Sequence, residues 1–158
     1  FASVISNVIK IGNLDNNNKI ILDFGCGVKV LSKKLPQKKI INYDVNPNYT
    51  EHVDYKKLYF DIVVFNHVLM YMDKKEIIST FENIKKINKN CEFLISLGKE
   101  SVFSKLVALA YNFKTAESRY KGALTTYDHQ VEIIKNQTKI LNVKKNIFFL
   151  TDIYHARF

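Results

Sequence analysis

Lys19–Phe24 (KIILDF) is a short, almost unbroken apolar run that ends on Gly25-Cys26-Gly27. It is too short for a stable helix and rich in isoleucine, so it reads as a strand buried on both faces, as strands of parallel sheets are. Parallel neighbours cannot be joined by a tight hairpin. A crossover must carry the chain back, usually through an α-helix. The first constraint is therefore on architecture: helices should alternate with buried strands.

The chain supplies that alternation. Val28–Leu35 reads as a helix stopped by Pro36, and Lys39–Tyr43 as a second strand closing on Asp44, with Pro47 opening the next turn. A brief third strand is expected near His52–Asp54. Tyr59–Asn66 (YFDIVVFN) has the β-branched enrichment of a sheet centre. Asp73 with Glu76 three residues on gives a helix N-cap and capping box. Behind it Ile77, Ile78, Phe81, Ile84 and Ile87 recur at helical spacing. Lys85, Lys86 and Lys89 near that helix's end complement its dipole. Cys91–Leu97 is the fifth strand. Val102, Phe103, Leu106, Val107, Ala110 and Phe113 mark an amphipathic helix, and a last helix is expected over about Tyr127–Leu141. Val143–Leu150 and Ile153–Phe158 close the chain as a strand pair. The expected fold is α/β: a doubly wound, mostly parallel seven-stranded sheet with a final strand pair and helices on both faces. At 158 residues the chain fits a single domain.

Composition narrows the partners. The formal charge of +9 is the footprint of a phosphate binder, yet of 24 basic residues only Arg119 and Arg157 are arginines. Lysine acts as a point charge and lacks the planar fork that grips phosphates and bases, so a solvated basic surface is preferred to RNA binding. Cys26 and Cys91 are far apart and lack metal-ligand spacing, so no metal site is expected. They suit a reducing, cytoplasmic setting. No signal-peptide pattern is visible, and no apolar run reaches the ~18 residues of a membrane span.

Doubly wound sheets bind ligands at the carboxyl ends of their strands. There Gly25 and Gly27 allow a tight turn against which a ligand can lie on bare backbone. Open N–H groups at the following helix start favour a carboxylate. Asp23, at the strand end, suits a cationic amine. Asp44, 21 residues later at the end of the second strand, is placed to accept hydrogen bonds from the hydroxyls of a ribose. These features suit a ligand that is at once amino acid and nucleoside, as S-adenosylmethionine is.

ILDFGCG, INYDVNP and FDIVVFNHVLMYM, in that order and spacing, resemble the motifs of class I S-adenosylmethionine-dependent methyltransferases, which share a Rossmann-like fold. The resemblance covers about Lys19–Leu97. It implies that Asp23, Gly25, Cys26 and Gly27 surround the methionine part of the cofactor and that Asp44 binds the ribose. It further implies that Val45 packs on the adenine, that Asn66, His67 and Val68 border the cofactor, and that Asp54 meets the adenine amino group. In that family the segment after the fifth strand commonly helps cover the substrate, which here gives residues 100–129. The chain departs from the pattern at Lys29, where a third glycine is usual, and at Met70 and Tyr71, where an acidic residue and a histidine are usual. Lys29 either crowds the cofactor or turns its stem outward.

The expected activity is methyl transfer from S-adenosylmethionine to a small-molecule, sugar or lipid-precursor acceptor. RNA methylation and a non-catalytic binding module of the same fold are the alternatives. A nicotinamide oxidoreductase fits less well, because its fingerprint needs glycine at Val30. His67, at the ligand edge, and His129, beside Thr126, Tyr127 and Asp128, are the candidate bases. Tyr127 and His129 are also candidate substrate contacts. Cys26 reads as a small turn residue, not a nucleophile, and His52 and His155 have no supporting context.

Overall fold

The computed structural model describes residues 2–52, 54–99, 122–146 and 151–158. Six strands form one mixed sheet: β1 (Ile21–Phe24), β2 (Ile40–Tyr43), β3 (Ile62–Asn66), β4 (Glu92–Gly98), β5 (Lys139–Asn146) and β6 (Thr151–Arg157). Their order is β2-β1-β3-β4-β6-β5. β2, β1, β3 and β4 are parallel; β6 runs antiparallel to both β4 and β5.

Helices pack on both faces because strand side chains alternate. On one face Leu22, Phe24, Val63, Phe65, Phe93 and Ile95 meet Ile77, Phe81 and Ile84 of α3 (Lys74–Ile87) and Ile133 and Ile134 of α4 (Tyr127–Gln137). Phe24, Tyr43, Tyr55, Phe65, Phe81, Phe93 and Phe158 form a chain of ring contacts there, with centroids 4.8–6.5 Å apart. On the other face Ile21, Ile62, Val64 and Leu94 meet Val4, Ile5 and Val8 of α1 (Ala2–Ile11) and Leu31 of α2 (Val30–Lys34). The expected capping box is present: Asp73 accepts from the Glu76 N–H, and Glu76 accepts from the Asp73 N–H, each at 2.8 Å.

Three expectations are corrected. The sheet has six strands among the described residues, not seven. No strand forms at His52 or Asp54: the Asp54 carboxylate instead caps a 3₁₀ turn, Tyr55–Lys57, by accepting the Lys56 N–H at 3.0 Å. The last helix ends at Gln137, short of Leu141, because Thr138 turns extended and its hydroxyl bonds back to the Ile134 carbonyl at 2.7 Å. Lys139–Leu141 then belong to β5, which carries a register shift between Ile140 and Asn142. α1 is an element that the sequence pattern did not announce. The helix expected over 101–113, and the part of the covering segment before residue 122, lie outside the described residues, as do 147–150.

Candidate functional site

The parallel strands deliver Asp23, Asp44 and Asn66 to one sheet edge. Period-two alternation puts Phe24 on the α3 face and Asp23 with Ile21 on the other. Asp23 is only 4% exposed. Burial, aided by repulsion from Asp44, pushes its pKa up to about 7. The two acids are thus electrostatic neighbours, on adjacent strands. A cation placed beside Asp23 would relieve both effects.

Gly25 turns the chain with φ +74°, and a Cβ built there would lie 2.5 Å from Val68 Cγ2. Only glycine lets these two loops approach so closely. The turn is also fixed from within. The N–H groups of Gly25 and Cys26 donate to the Tyr43 carbonyl at 2.8 and 3.1 Å, and that of Gly27 donates to Asp44 Oδ2 at 2.9 Å. These three N–H groups are committed within the turn. Asp44 Oδ1 accepts from the Asn46 N–H at 2.9 Å. A carboxylate has about four lone-pair directions, so both oxygens keep room for ribose hydroxyls.

Lys29, where the family pattern has glycine, adopts the left-handed conformation (φ 58°) that glycine accepts at least cost. Its ammonium turns to Glu51 at 2.8 Å, and Glu51 also accepts from Asn42 at 3.1 Å. Lys29 does not line the cavity beside the turn. Its stem has turned aside, which resolves the choice left open by the sequence.

That cavity has a volume of about 690 Å³. Of the residues singled out in the sequence, Gly25, Asp44, Val45, Asn66, His67 and Val68 line it, as do Met70 and Tyr71. Val45 is 86% exposed, an apolar side chain held out at the cavity edge. Asp23, Cys26, Gly27, Asp54, Tyr127 and His129 are not among the lining residues. Cys26 is buried, and its thiol is pushed up to about 12 by burial and by the nearby acids Asp23 and Asp44, which makes it inert. His67 holds a left-handed φ of 57°, its N–H donating to the Ser96 carbonyl at 3.0 Å, while the Ser96 hydroxyl donates to Asn66 Oδ1 at 2.6 Å. His129 is an exposed first-turn residue of α4, its N–H 3.4 Å from the capping Thr126 hydroxyl. Tyr127 bonds instead to Asp152 and Tyr154, on β6.

One wall was missed. Glu76, Ser79, Thr80 and Asn83 of α3 line the cavity opposite the strand ends. Their i, i+3, i+4, i+7 spacing is a polar stripe beside the apolar one, a signal that was present in the sequence. Thr125 ties the turn at Leu69–Tyr71, donating through its hydroxyl to the Leu69 carbonyl at 3.0 Å.

The residues present fit S-adenosylmethionine: a buried acid that could take the amine, a glycine turn, a carboxylate in the cavity wall that could take ribose hydroxyls, and a cavity within the range of roughly 300–1,000 Å³ typical of small-molecule sites. Fold and site together define a class I S-adenosylmethionine-dependent methyltransferase.

Comparison with known proteins agrees. A family model described as a methyltransferase domain matches residues 1–113, and the chain belongs to that family. No curated protein sequence matches. Among solved structures, magnesium protoporphyrin IX methyltransferase from Synechocystis PCC 6803, with bound S-adenosylhomocysteine, superposes with a TM-score of 0.63 at 17% identity, covering 99% of this chain and 81% of that one. N-methyltransferase NodS from Bradyrhizobium japonicum WM9, in complex with S-adenosylhomocysteine, gives 0.67 at 14% identity, covering 97% and 84%. The pyocyanin biosynthetic protein PhzM gives 0.68 at 10% identity, covering 98% of this chain but 54% of that one.

Proposed function

We propose that this enzyme methylates a small-molecule acceptor, such as a metabolite, a sugar or a lipid-linked precursor, in a cytoplasmic setting. The observation that carries the reading is the pairing of Asp23 and Asp44 around the Gly25 turn, with Gly25 and Asp44 lining a cavity of about 690 Å³. Two of the structural neighbours are named for small molecules, a magnesium protoporphyrin and pyocyanin. Both cysteines are free, which suits a reducing compartment.

S-adenosylmethionine supplies a methyl group on a sulfonium, which is already a good leaving group. What remains for the chain is alignment and exclusion of water, an effect reaching roughly 7–11 kcal/mol in the best model systems. Asp23 holds the amine, Asp44 the ribose, and Val45 covers the adenine. The α3 stripe closes the far wall. Where the acceptor must lose a proton, His67 is placed to take it, since it lines the cavity and His129 does not.

The test uses S-adenosylmethionine labelled in its methyl group, incubated with the enzyme and either a small-molecule extract or total RNA at low and high salt. Label should enter the small-molecule fraction independently of salt. Label in RNA that falls steeply as salt rises would establish the RNA reading instead.

A further inference from the structure

The glycine turn is joined to the loop after β2 at both ends of that loop. β2 is the outermost strand of the sheet; the chain leaves it at Asp44 and returns beside it at Glu51, whose N–H donates to the Asn42 carbonyl at 3.0 Å. At the near end the Gly27 N–H donates to Asp44 Oδ2 at 2.9 Å. At the far end the Lys29 ammonium donates to Glu51 Oε1 at 2.8 Å. Between them the Cys26 thiol, a weak donor, reaches the Tyr49 carbonyl at 3.5 Å. Glu51 Oε1 also accepts from Asn42 Nδ2 at 3.1 Å, and Asn42 Oδ1 accepts from the Ser32 hydroxyl at 2.7 Å. Asn42 is 4% exposed, so the far tie is rooted in the interior and runs from α2 through β2 to the end of the loop.

The two ties differ in what else they must do. Ribose hydroxyls on Asp44 would draw on the same carboxylate that receives the Gly27 N–H. A restraint placed elsewhere keeps the loop still while the ligand engages. Lys29 and Glu51 are clear of that competition, since neither lines the cavity. Lys29 makes its tie from a strained backbone: φ 58° is a conformation that glycine adopts at least cost and other residues adopt only against a steric penalty. Such strain persists where the surroundings over-determine it, and the ion pair to Glu51 is what the lysine gains there. The ammonium holds the Glu51 carboxyl below its ordinary value, as an engaged ion pair does.

We propose that Lys29 is a positioning residue for the cofactor: through Glu51 it fixes the loop 44–50, and with it Asp44 and Val45, where the ribose and adenine are received. This rests on the methyltransferase reading above. A loop already ordered when the ligand arrives leaves less ordering to be done on binding, and affinity rises by that amount. A partly exposed ion pair changes an equilibrium by up to about fivefold, which bounds the effect. The same exposure lets salt screen it.

S-adenosylhomocysteine is titrated by calorimetry into the wild type, Lys29→Met, Glu51→Gln and the double variant. Each single variant should bind about threefold more weakly, and the double variant no more weakly than either, because both changes remove one interaction. Lys29→Arg, which keeps the pair, should bind as the wild type does. Raising potassium chloride from about 0.05 M to about 1 M should erase most of the wild type's advantage over Lys29→Met. Lys29→Gly separates positioning from stability. It relaxes the backbone and should be more stable than Lys29→Ala, yet the two should bind the ligand equally weakly, since affinity follows the ammonium and stability follows φ. Equal affinity in the wild type and Lys29→Met, additive losses in the double variant, or tighter binding in Glu51→Gln (the result if Lys29 met the ligand itself) overturns the role. Failure of the wild type to bind S-adenosylhomocysteine would instead overturn the reading on which it rests.

Discussion

Asp23 should couple cofactor binding to protons. Its carboxyl stands near pKa 7 in the absence of a cation, against an ordinary 3.8. At 1.36 kcal/mol per unit, burial and Asp44 together favour the neutral form by about 4 kcal/mol. At pH 7 about half of the ligand-free molecules therefore carry this proton. An ammonium seated beside the carboxylate restores the charged form, so binding must expel it. Calorimetric titration of S-adenosylhomocysteine, in paired buffers of different ionisation enthalpy, reads that release directly. It should approach one proton per site near pH 5.5, fall to about half at pH 7 and vanish by about pH 8.5. Affinity should tighten as pH rises through the same window and then level off. Asp23→Asn should bind more weakly and release no proton. Because the folded pKa is raised above the unfolded one, this acid favours the folded state least at high pH. The ligand-free wild type loses stability between about pH 4 and 7, and Asp23→Asn should not share that loss. Buffer-independent heats in the wild type at pH 5.5–7, or proton release persisting in Asp23→Asn, would refute the assignment.

Three other outcomes follow from the same geometry. Gly25→Ala combines a left-handed φ with a Cβ 2.5 Å from Val68 Cγ2, so it should weaken S-adenosylhomocysteine binding at least about tenfold, measured by calorimetry. At Lys29, glycine and alanine both remove the ion pair to Glu51 but only glycine suits φ 58°; Lys29→Gly should exceed Lys29→Ala in stability by about 1 kcal/mol, read from urea midpoints. Asp44→Ala should cost about 1–3 kcal/mol of cofactor affinity by losing ribose hydrogen bonds and the Gly27 restraint, and unchanged binding in a folded variant would remove Asp44 from the site.

Much of this was legible because local chemistry and global fold agree where strands meet turns. The apolar run before Gly25, the acid closing β2 and the Asp73–Glu76 capping box each state their role within a few residues. What escaped depends on distant partners. α1 is rich in β-branched residues, which disfavour helices, and forms because Val4, Ile5 and Val8 are buried against β4 and its neighbours. His52–Asp54 looked extended, but Asp54 spends its carboxylate on a turn. The Gly27 N–H is held by Asp44, a partner 17 residues away. The side chain that answers Tyr127 is Asp152, 25 residues on, and no local spacing announces it.

The most direct measurement is a crystal structure grown with S-adenosylhomocysteine. Its amine should lie against Asp23, its ribose against Asp44 and its base over Val45, with the backbone of Gly25 in contact. Ligand bound at any other edge of the sheet, or this turn closed around the protein's own side chains at saturating ligand, would contradict the assignment.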